Sequence, residues 1–266
     1  MGLCRDNVTN YLAQLGFSVV RIPREDIKPL DIIGRDRDQM RLGTIDQLLV
    51  NPGANLPSVK TNVQAAEING QVSSKLDAAI GVNILGSVLG ALAGTAVKVK
   101  AAYKQAKKVQ FEFRDVHLDT VAPLTVGQYL RTAEVDAENL VLQRYVLGKG
   151  QLFLITETLK SKSITVRAED SQGTDVGLDV PAVKELLGAE AKIGIERGAA
   201  GGLTYSGDRE LVFGFKCFRV GVEDGVLSLS AARPGEVAMA AGSGAPEFVL
   251  GAGLVDLDAG RLDATS

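Results

Sequence analysis

An α+β fold dominated by amphipathic strands is what this sequence predicts, and three features predict it. Apolar and polar side chains alternate with period two in several separate runs, which marks strands with one wet and one greasy face. Short segments with helical spacing of apolar residues lie between those runs. Thirty glycines in a chain that is 45% hydrophobic and 23% charged fit a globular protein rich in turns, or one that tolerates two different folds.

The elements follow in order. Residues 5–15 predict an amphipathic helix: Val8, Tyr11, Leu12 and Leu15 share one face, Asp6 or Asn7 caps its start and Gly16 ends it. Residues 17–22 read as a strand stopped by Pro23. Residues 27–33 and 40–50 read as short strands or turns around a solvated loop bearing Arg35, Asp36, Arg37 and Asp38, and 51–57 is a loop. Helical spacing returns over 125–144, with Val126, Leu130, Leu140 and Leu142 inward. Residues 141–147 and 151–159 read as strands about the Gly148-Lys149-Gly150 turn. Residues 181–187 form a short helix with Pro181 in its first turn. Residues 211–222 and 226–230 are strand-like, with Cys217 a core residue.

Residues 78–96 are almost wholly apolar, and Gly86, Gly90 and Gly94 recur every fourth position. That spacing lets helices approach closely, and the length is near the roughly 20 residues that span a bilayer. One reading is therefore a membrane-anchored structural or signalling protein with a transmembrane helix at about 78–96. The flanks argue otherwise. Val97 and Val99 alternate with Lys98 and Lys100, and Val109, Phe111 and Phe113 alternate with Gln110, Glu112 and Arg114. Further on, Ile164 and Val166 alternate with Thr165 and Arg167, and Ala191, Ile193 and Ile195 lie opposite Lys192 and Glu196. The regions 70–115 and 155–205 are each long enough for one membrane-spanning hairpin of about 9–11-residue strands. Single hairpins cannot span, because open sheet edges are not tolerated in hydrocarbon, so a ring of subunits is required. Lys98, Lys100, Lys104, Lys107 and Lys108 form a basic cluster suited to anionic lipid.

Enzymatic chemistry finds no support. His117 is the only histidine, which removes His-Cys, His-Ser and multi-histidine metal sites. No phosphate-binding glycine loop precedes a helix. No metal and no cofactor is expected, and a net charge of −3 gives no reason to expect nucleic acid. Two cysteines make no disulfide framework, and the first residues lack the apolar stretch of a secretory signal, so a cytoplasmic protein is expected.

The C-terminal part divides at a flexible linker, 233–246, accessible to proteases at Arg233 or Met239. Residues 247–266 follow, with apolar Phe248, Val249, Leu250, Leu254, Val255 and Leu257. Their charges are Glu247, Asp256, Asp258 and Asp263 against Arg261. Such a tail is expected to dock on the body, 1–232, weakly enough that the covalent tether decides whether it stays.

The arrangement resembles a bacterial gasdermin. The residues that carry the resemblance are Met1-Gly2-Leu3-Cys4 before an amphipathic helix, the proline-punctuated 21–30, the two amphipathic hairpin regions and the short C-terminal tail. It implies a twisted central antiparallel sheet with surrounding helices, like a gasdermin N-terminal domain, held inactive by residues 247–266. It further implies palmitate on Cys4 and an inactive cytoplasmic monomer. By the same resemblance, a caspase-like protease of the same antiphage defence is expected to remove the tail. The body is then expected to assemble as a homo-oligomeric β-barrel pore in the lipid of the inner membrane and to kill the cell.

Overall fold

The computed structural model describes residues 17–36, 39–52, 55–66, 70, 75–93, 100–131, 133–147, 150–187, 193–198, 201–223, 226–231, 249–251 and 253–254. Strands dominate: β1 Ser18–Arg24, β2 Asp31–Arg35, β3 Gln39–Thr44, β4 Val59–Gln64, β5 Leu76–Asp77, β6 Lys108–Arg114, β7 His117–Val121, β8 Gln151–Glu169, β9 Gly194–Arg197, β10 Leu203–Glu223, β11 Val226–Ala231, β12 Val249–Gly251 and β13 Gly253–Leu254. Among the described residues the helices are α1 Ala78–Ala93, α2 Pro123–Leu130, α3 Leu140–Val146 and α4 Val180–Leu187, with a 3-10 turn at Ile45–Leu48; the helix expected at 5–15 lies outside them.

All strands join one antiparallel sheet whose main path runs β13-β12-β1-β10-β8-β2-β3. Two long strands organise it. β8 has 19 residues and β10 has 21, and they pair with each other over most of that length. Their register breaks between Ser206 and Leu211, and this break separates two ends of different character.

At one end, the body, β8 is covered on both faces, so its side chains do not alternate in polarity. Leu152 and Leu154 face a core with Ile32, Ile45, Leu48, Val126, Leu130, Leu142 and Tyr145. Phe153 and Ile155 face Ile27, Ile33, Val212 and Phe215 on the other side. The chain enters β2 through a turn in which Asp31 N–H donates to Lys28 O at 3.1 Å. Leu30 takes φ 74° there, a left-handed conformation that a buried leucine adopts only because the core holds it. Asp31 is fully buried and accepts two bonds from Arg41, Nη2 to Oδ1 and Nε to Oδ2, both 2.8 Å, plus the Lys28 N–H at 2.9 Å. These bonds push the Arg41 guanidinium above its ordinary value.

Several sequence expectations are corrected. β1 continues through Pro23 to Arg24, because its register on β10 is irregular between Val19 and Arg24 and leaves no ladder bond for proline to break. Residues 125–144 are two helices, α2 and α3, separated by an irregular stretch that pairs Leu49 with Val135. Residues 141–147 belong to α3 and its cap: Asn139 accepts from the Val141 and Leu142 N–H groups, and that cap selects helix where the apolar run alone reads as strand. Leu140 points outward and is 83% exposed, while Val126, Leu130 and Leu142 are buried as expected. Cys217 is half-buried against the second face of the body. Within the 78–96 run, α1 has 16 residues and packs against the sheet, residues 94–96 lie outside the described residues, and no helix among the described residues is long and apolar enough to cross a membrane.

Asp31→Ala should lower the unfolding free energy by about 2–4 kcal/mol, because it removes charge-assisted bonds from a buried site. The midpoint of urea denaturation measures it. A loss below about 0.5 kcal/mol would show that the pair contributes little beyond a surface bridge.

Candidate functional site

Beyond the register break the sheet is five strands wide, in the order β5-β6-β8-β10-β9. Here the alternation predicted from sequence becomes geometry. Phe113 pairs with Ile164, Ile164 with Tyr205, and Tyr205 with Ile195, making one row across four strands. Phe111, Val166 and Leu203 make the next row, and Val109 with Ala168 a third. All point to one face. Val109, Phe111, Ile164, Val166, Ile195, Leu203 and Tyr205 are buried, and Phe113 and Ile193 are partly buried against them. Phe113 also stacks on Phe213, with ring centroids 4.1 Å apart.

This face is covered by α1. Val82, Leu85, Val88, Leu89 and Leu92 recur at helical spacing and pack into the same cluster, with Val183 of α4 beside them. The helix is apolar because it is buried, with Asn83 and Ser87 the polar exceptions. Its close approach is made at Gly81, where a Cβ would stand 2.8 Å from Val109 Cβ. Sequence spacing points instead to Gly86, Gly90 and Gly94; Gly94 lies outside the described residues.

The opposite face is polar, and several of its side chains pair with one another. Thr165 and Thr204 share a hydrogen bond of 2.9 Å across β8 and β10. Glu112 lies between Arg114 at 3.0 Å and Arg167 at 3.7 Å. Lys75 pairs with Glu169 at 2.6 Å. The unit therefore has one apolar face and one polar face, and on the polar one Glu112 and Thr165 are buried with hydrogen-bonding or charged partners beside them.

Between α1 and β6 the chain turns through residues 100–107. Lys100, Lys104, Lys107 and Lys108 are exposed, and none forms an ion pair with a described residue. Tyr103 and Ala106 point inward. The Tyr103 hydroxyl lies 2.7 Å from that of Tyr205, and both side chains are buried. These two tyrosines are functional candidates that sequence reasoning passed over. The available signal is the three-residue spacing of Tyr103, Ala106 and Val109 through an otherwise basic stretch. A second polar cluster, at the register break, joins the strands of both regions. His117 Nδ1 is 3.2 Å from Glu210 Oε1, and Lys160 lies 3.0 Å from both Asp119 and Glu210.

The C-terminal segment adds to the sheet edge. β12 pairs antiparallel with β1, Val19 with Leu250 and Val20 with Val249, and β13 turns back on β12, placing Leu254 opposite Leu250. Cys4, Val97, Lys98, Val99, Ala191, Arg233, Met239, Phe248, Val255 and Leu257 lie outside the described residues.

Comparison with known proteins gives a consistent result. A sequence profile of the Bacterial Gasdermin Family matches residues 20–226. The chain is 46% identical over 241 residues to Gasdermin bGSDM of Vitiosangium sp., covering 90% of each protein. It is 34% identical over 227 residues to Gasdermin bGSDM of a Desulfuromonadales bacterium, covering 84% of each. In three dimensions it is similar to the bacterial gasdermin from Bradyrhizobium tropiciagri, with a TM-score of 0.65, 20% identity, and coverage of 87% of this chain and 95% of that one. That likeness shows the fold: a twisted antiparallel sheet with helices around it.

The tight contact of α1 on β6 gives a direct check on the cover. Gly81→Ala should cost about 1 kcal/mol net, since overpacking against the stiff Val109 exceeds the helix-propensity gain. Gly81→Ala combined with Val109→Ala should recover part of that loss in a double-mutant denaturation cycle. Strict additivity would mean that the two residues do not touch.

Proposed function

The chain belongs to the bacterial gasdermin family, and we propose from that membership that it is a latent pore-forming protein held inactive by its C-terminal peptide. The observation that carries this reading is the sheet β5-β6-β8-β10-β9, apolar on the face beneath α1 and polar on the other. Such a sheet is a segment of barrel wall: lipid can replace α1 on one face while the other lines water.

Two of the strands that flank α1 and α4 are shorter than a span. A membrane-crossing strand needs about 9–11 residues, whereas β6 has 7 and β9 has 4. Insertion therefore requires the segments joining them, α1 and α4 included, to extend into strand. The two insertion hairpins are the stretches on either side of α1 and of α4. Each leaves open edges that only neighbouring copies can fill, so the active form is a closed homo-oligomeric ring. Lys100, Lys104, Lys107 and Lys108, with Lys98 beside them, draw the loop to anionic headgroups.

Regulation lies in the tail. In this reading a protease, caspase-like by family resemblance, cuts within 233–246, the peptide 247–266 leaves β1, and the body moves from the cytoplasm to the inner membrane. The outcome is death of an infected cell as an antiphage defence. Palmitate on Cys4 adds about 0.8 kcal/mol per buried methylene to membrane affinity.

A specific protease site placed in 233–246 tests the reading. Cut protein should release dye from anionic vesicles, and uncut protein should not; silence from both would end the proposal. Ile193→Asp should cut release more than tenfold, because a carboxylate on a lipid-facing strand costs about 2 kcal/mol or more near the midplane. Ile193 is only partly buried in the latent fold, so the uncut variant should still unfold cooperatively. Undiminished release would place Ile193 on the other face. Mass spectrometry of the Cys4 peptide from cells reads acylation directly, and Cys4→Ala should reduce killing while leaving folding unchanged.

A further inference from the structure

We propose that Tyr103 is a positioning residue that ties the lysine-bearing loop to the second hairpin, so that anionic lipid drawing on that loop loosens the strands that insert. The proposal rests on the pore reading above and adds the coupling between its two hairpins.

Tyr103 belongs to the loop between α1 and β6, in the first hairpin region. Tyr205 belongs to β10, in the second, and sits between Ile164 of β8 and Ile195 of β9. Their hydroxyls meet at 2.7 Å across 102 residues of sequence. Both side chains are nearly inaccessible, at 2% and 0% exposure, inside a cluster otherwise built of aliphatic and aromatic carbon. A phenol buried in such surroundings needs a partner, and here each hydroxyl serves the other. The bond therefore holds the loop down and completes the polar inventory of the second hairpin's apolar face.

The same loop carries the charges that meet lipid. Tyr103 and Ala106 turn inward while Lys100, Lys104, Lys107 and Lys108 turn outward. The backbone fastens the end of the turn: Lys107 N–H donates to Glu169 O at 2.7 Å, and Ala78 N–H donates to Lys107 O at 3.0 Å. Force on the lysines thus bears on β8 and on the start of α1 as well as on Tyr205. Lipid shifts such an equilibrium only if it binds the released loop better than the docked one. A loop freed from Tyr205 can bring its lysines closer to headgroups than one pinned by a buried side chain. Once Tyr103 withdraws, the Tyr205 hydroxyl has lost its partner within the apolar face, and the latent packing of the second hairpin weakens.

The test compares Tyr103→Phe, Tyr205→Phe and the double variant with the wild type, each cut in 233–246, on vesicles of graded phosphatidylglycerol content. Dye release by the wild type should rise steeply with the anionic fraction. Each single variant should release dye about fivefold faster at low anionic fraction, the equivalent of one hydrogen bond, with a flatter dependence on composition. The double variant should match the singles, because both remove one bond. Amide exchange at residues 203–206 is followed in parallel. It should rise in the wild type when phosphatidylglycerol vesicles are added, and it should already be raised in Tyr103→Phe without them. Variants that release dye at the wild-type rate with the wild-type lipid dependence would overturn the coupling and leave the pore reading intact. Additive effects of the two single substitutions would overturn it as well. Exchange that responds as described while no dye is released would uphold the coupling and remove the pore.

Discussion

An apolar sheet face must be covered by something apolar, and in this protein the main cover on the β5-β6-β8-β10-β9 sheet is one uncharged helix, α1. Every other feature of that end follows from the pairing of α1 with the rows built on Val109, Phe111, Ile164, Val166 and Tyr205. The face cannot be left to water: burying each large aliphatic side chain there contributes roughly 1.5–3 kcal/mol. Nor is the cover specific to protein, since a hydrocarbon layer satisfies the same side chains. On the polar side Glu112 pairs with Arg114 and lies near Arg167, and Thr165 bonds Thr204, so most of these groups have a partner within the sheet itself. One sheet thus has two compatible environments, and the choice between them rests on the covers and on the edges.

The body is built differently from that end of the sheet. Between residues 151 and 159 β8 carries large apolar side chains on both faces, one set against α2, α3 and the 3-10 turn and the other against Ile27, Ile33 and Phe215. A strand clamped from both sides has no second environment available. β8 and β10 run continuously from this clamped region into the half-wet one, and the irregular register between Ser206 and Leu211 marks the passage. The ion pairs of Lys160 with Asp119 and Glu210 lie at the same passage, so the boundary is also where β7, β8 and β10 are tied by charge.

Much of this was legible in the sequence, and the parts that were not share a cause. Period-two alternation located the strand faces at 109–113, 164–166 and 193–195, because a half-wet sheet imposes that pattern directly. The helix at 180–187 was announced by its proline. Residues 78–96 were ambiguous because a helix buried by its own protein and a helix buried by lipid need the same composition; only the sheet lying beneath decides between them. Residues 141–147 read as strand because a short apolar run has no period of its own, and the decision was made by the Asn139 cap. Pro23 failed as a stop because what matters is whether its strand position needs a donor. The Tyr103–Tyr205 contact spans 102 residues, and no local pattern can announce a pairing of that range. The tail's apolar and acidic content announced that it would dock but not where, since edge pairing is a backbone property.

That docking place constrains how the tail can act. β12 and β13 lie at the β1 edge, whereas the apolar rows lie on β6, β8, β9 and the far part of β10. The tail's described strands therefore bear on those rows through other elements. β1 is the link, for it pairs with β12 on one side and β10 on the other, and α1 packs against it as well as against β6 and β10. A three-residue strand ordered at a cost of about 1–2 kcal/mol per residue cannot hold such an edge strongly by itself. Under the proposed function its hold would depend on the tether, since a short flexible link gives a local concentration of order mM. Under the proposed function the peptide would thus act more through its connection than through its contacts: a cut in 233–246 would remove the tether, and the edge then released is the one against which the covering helix rests.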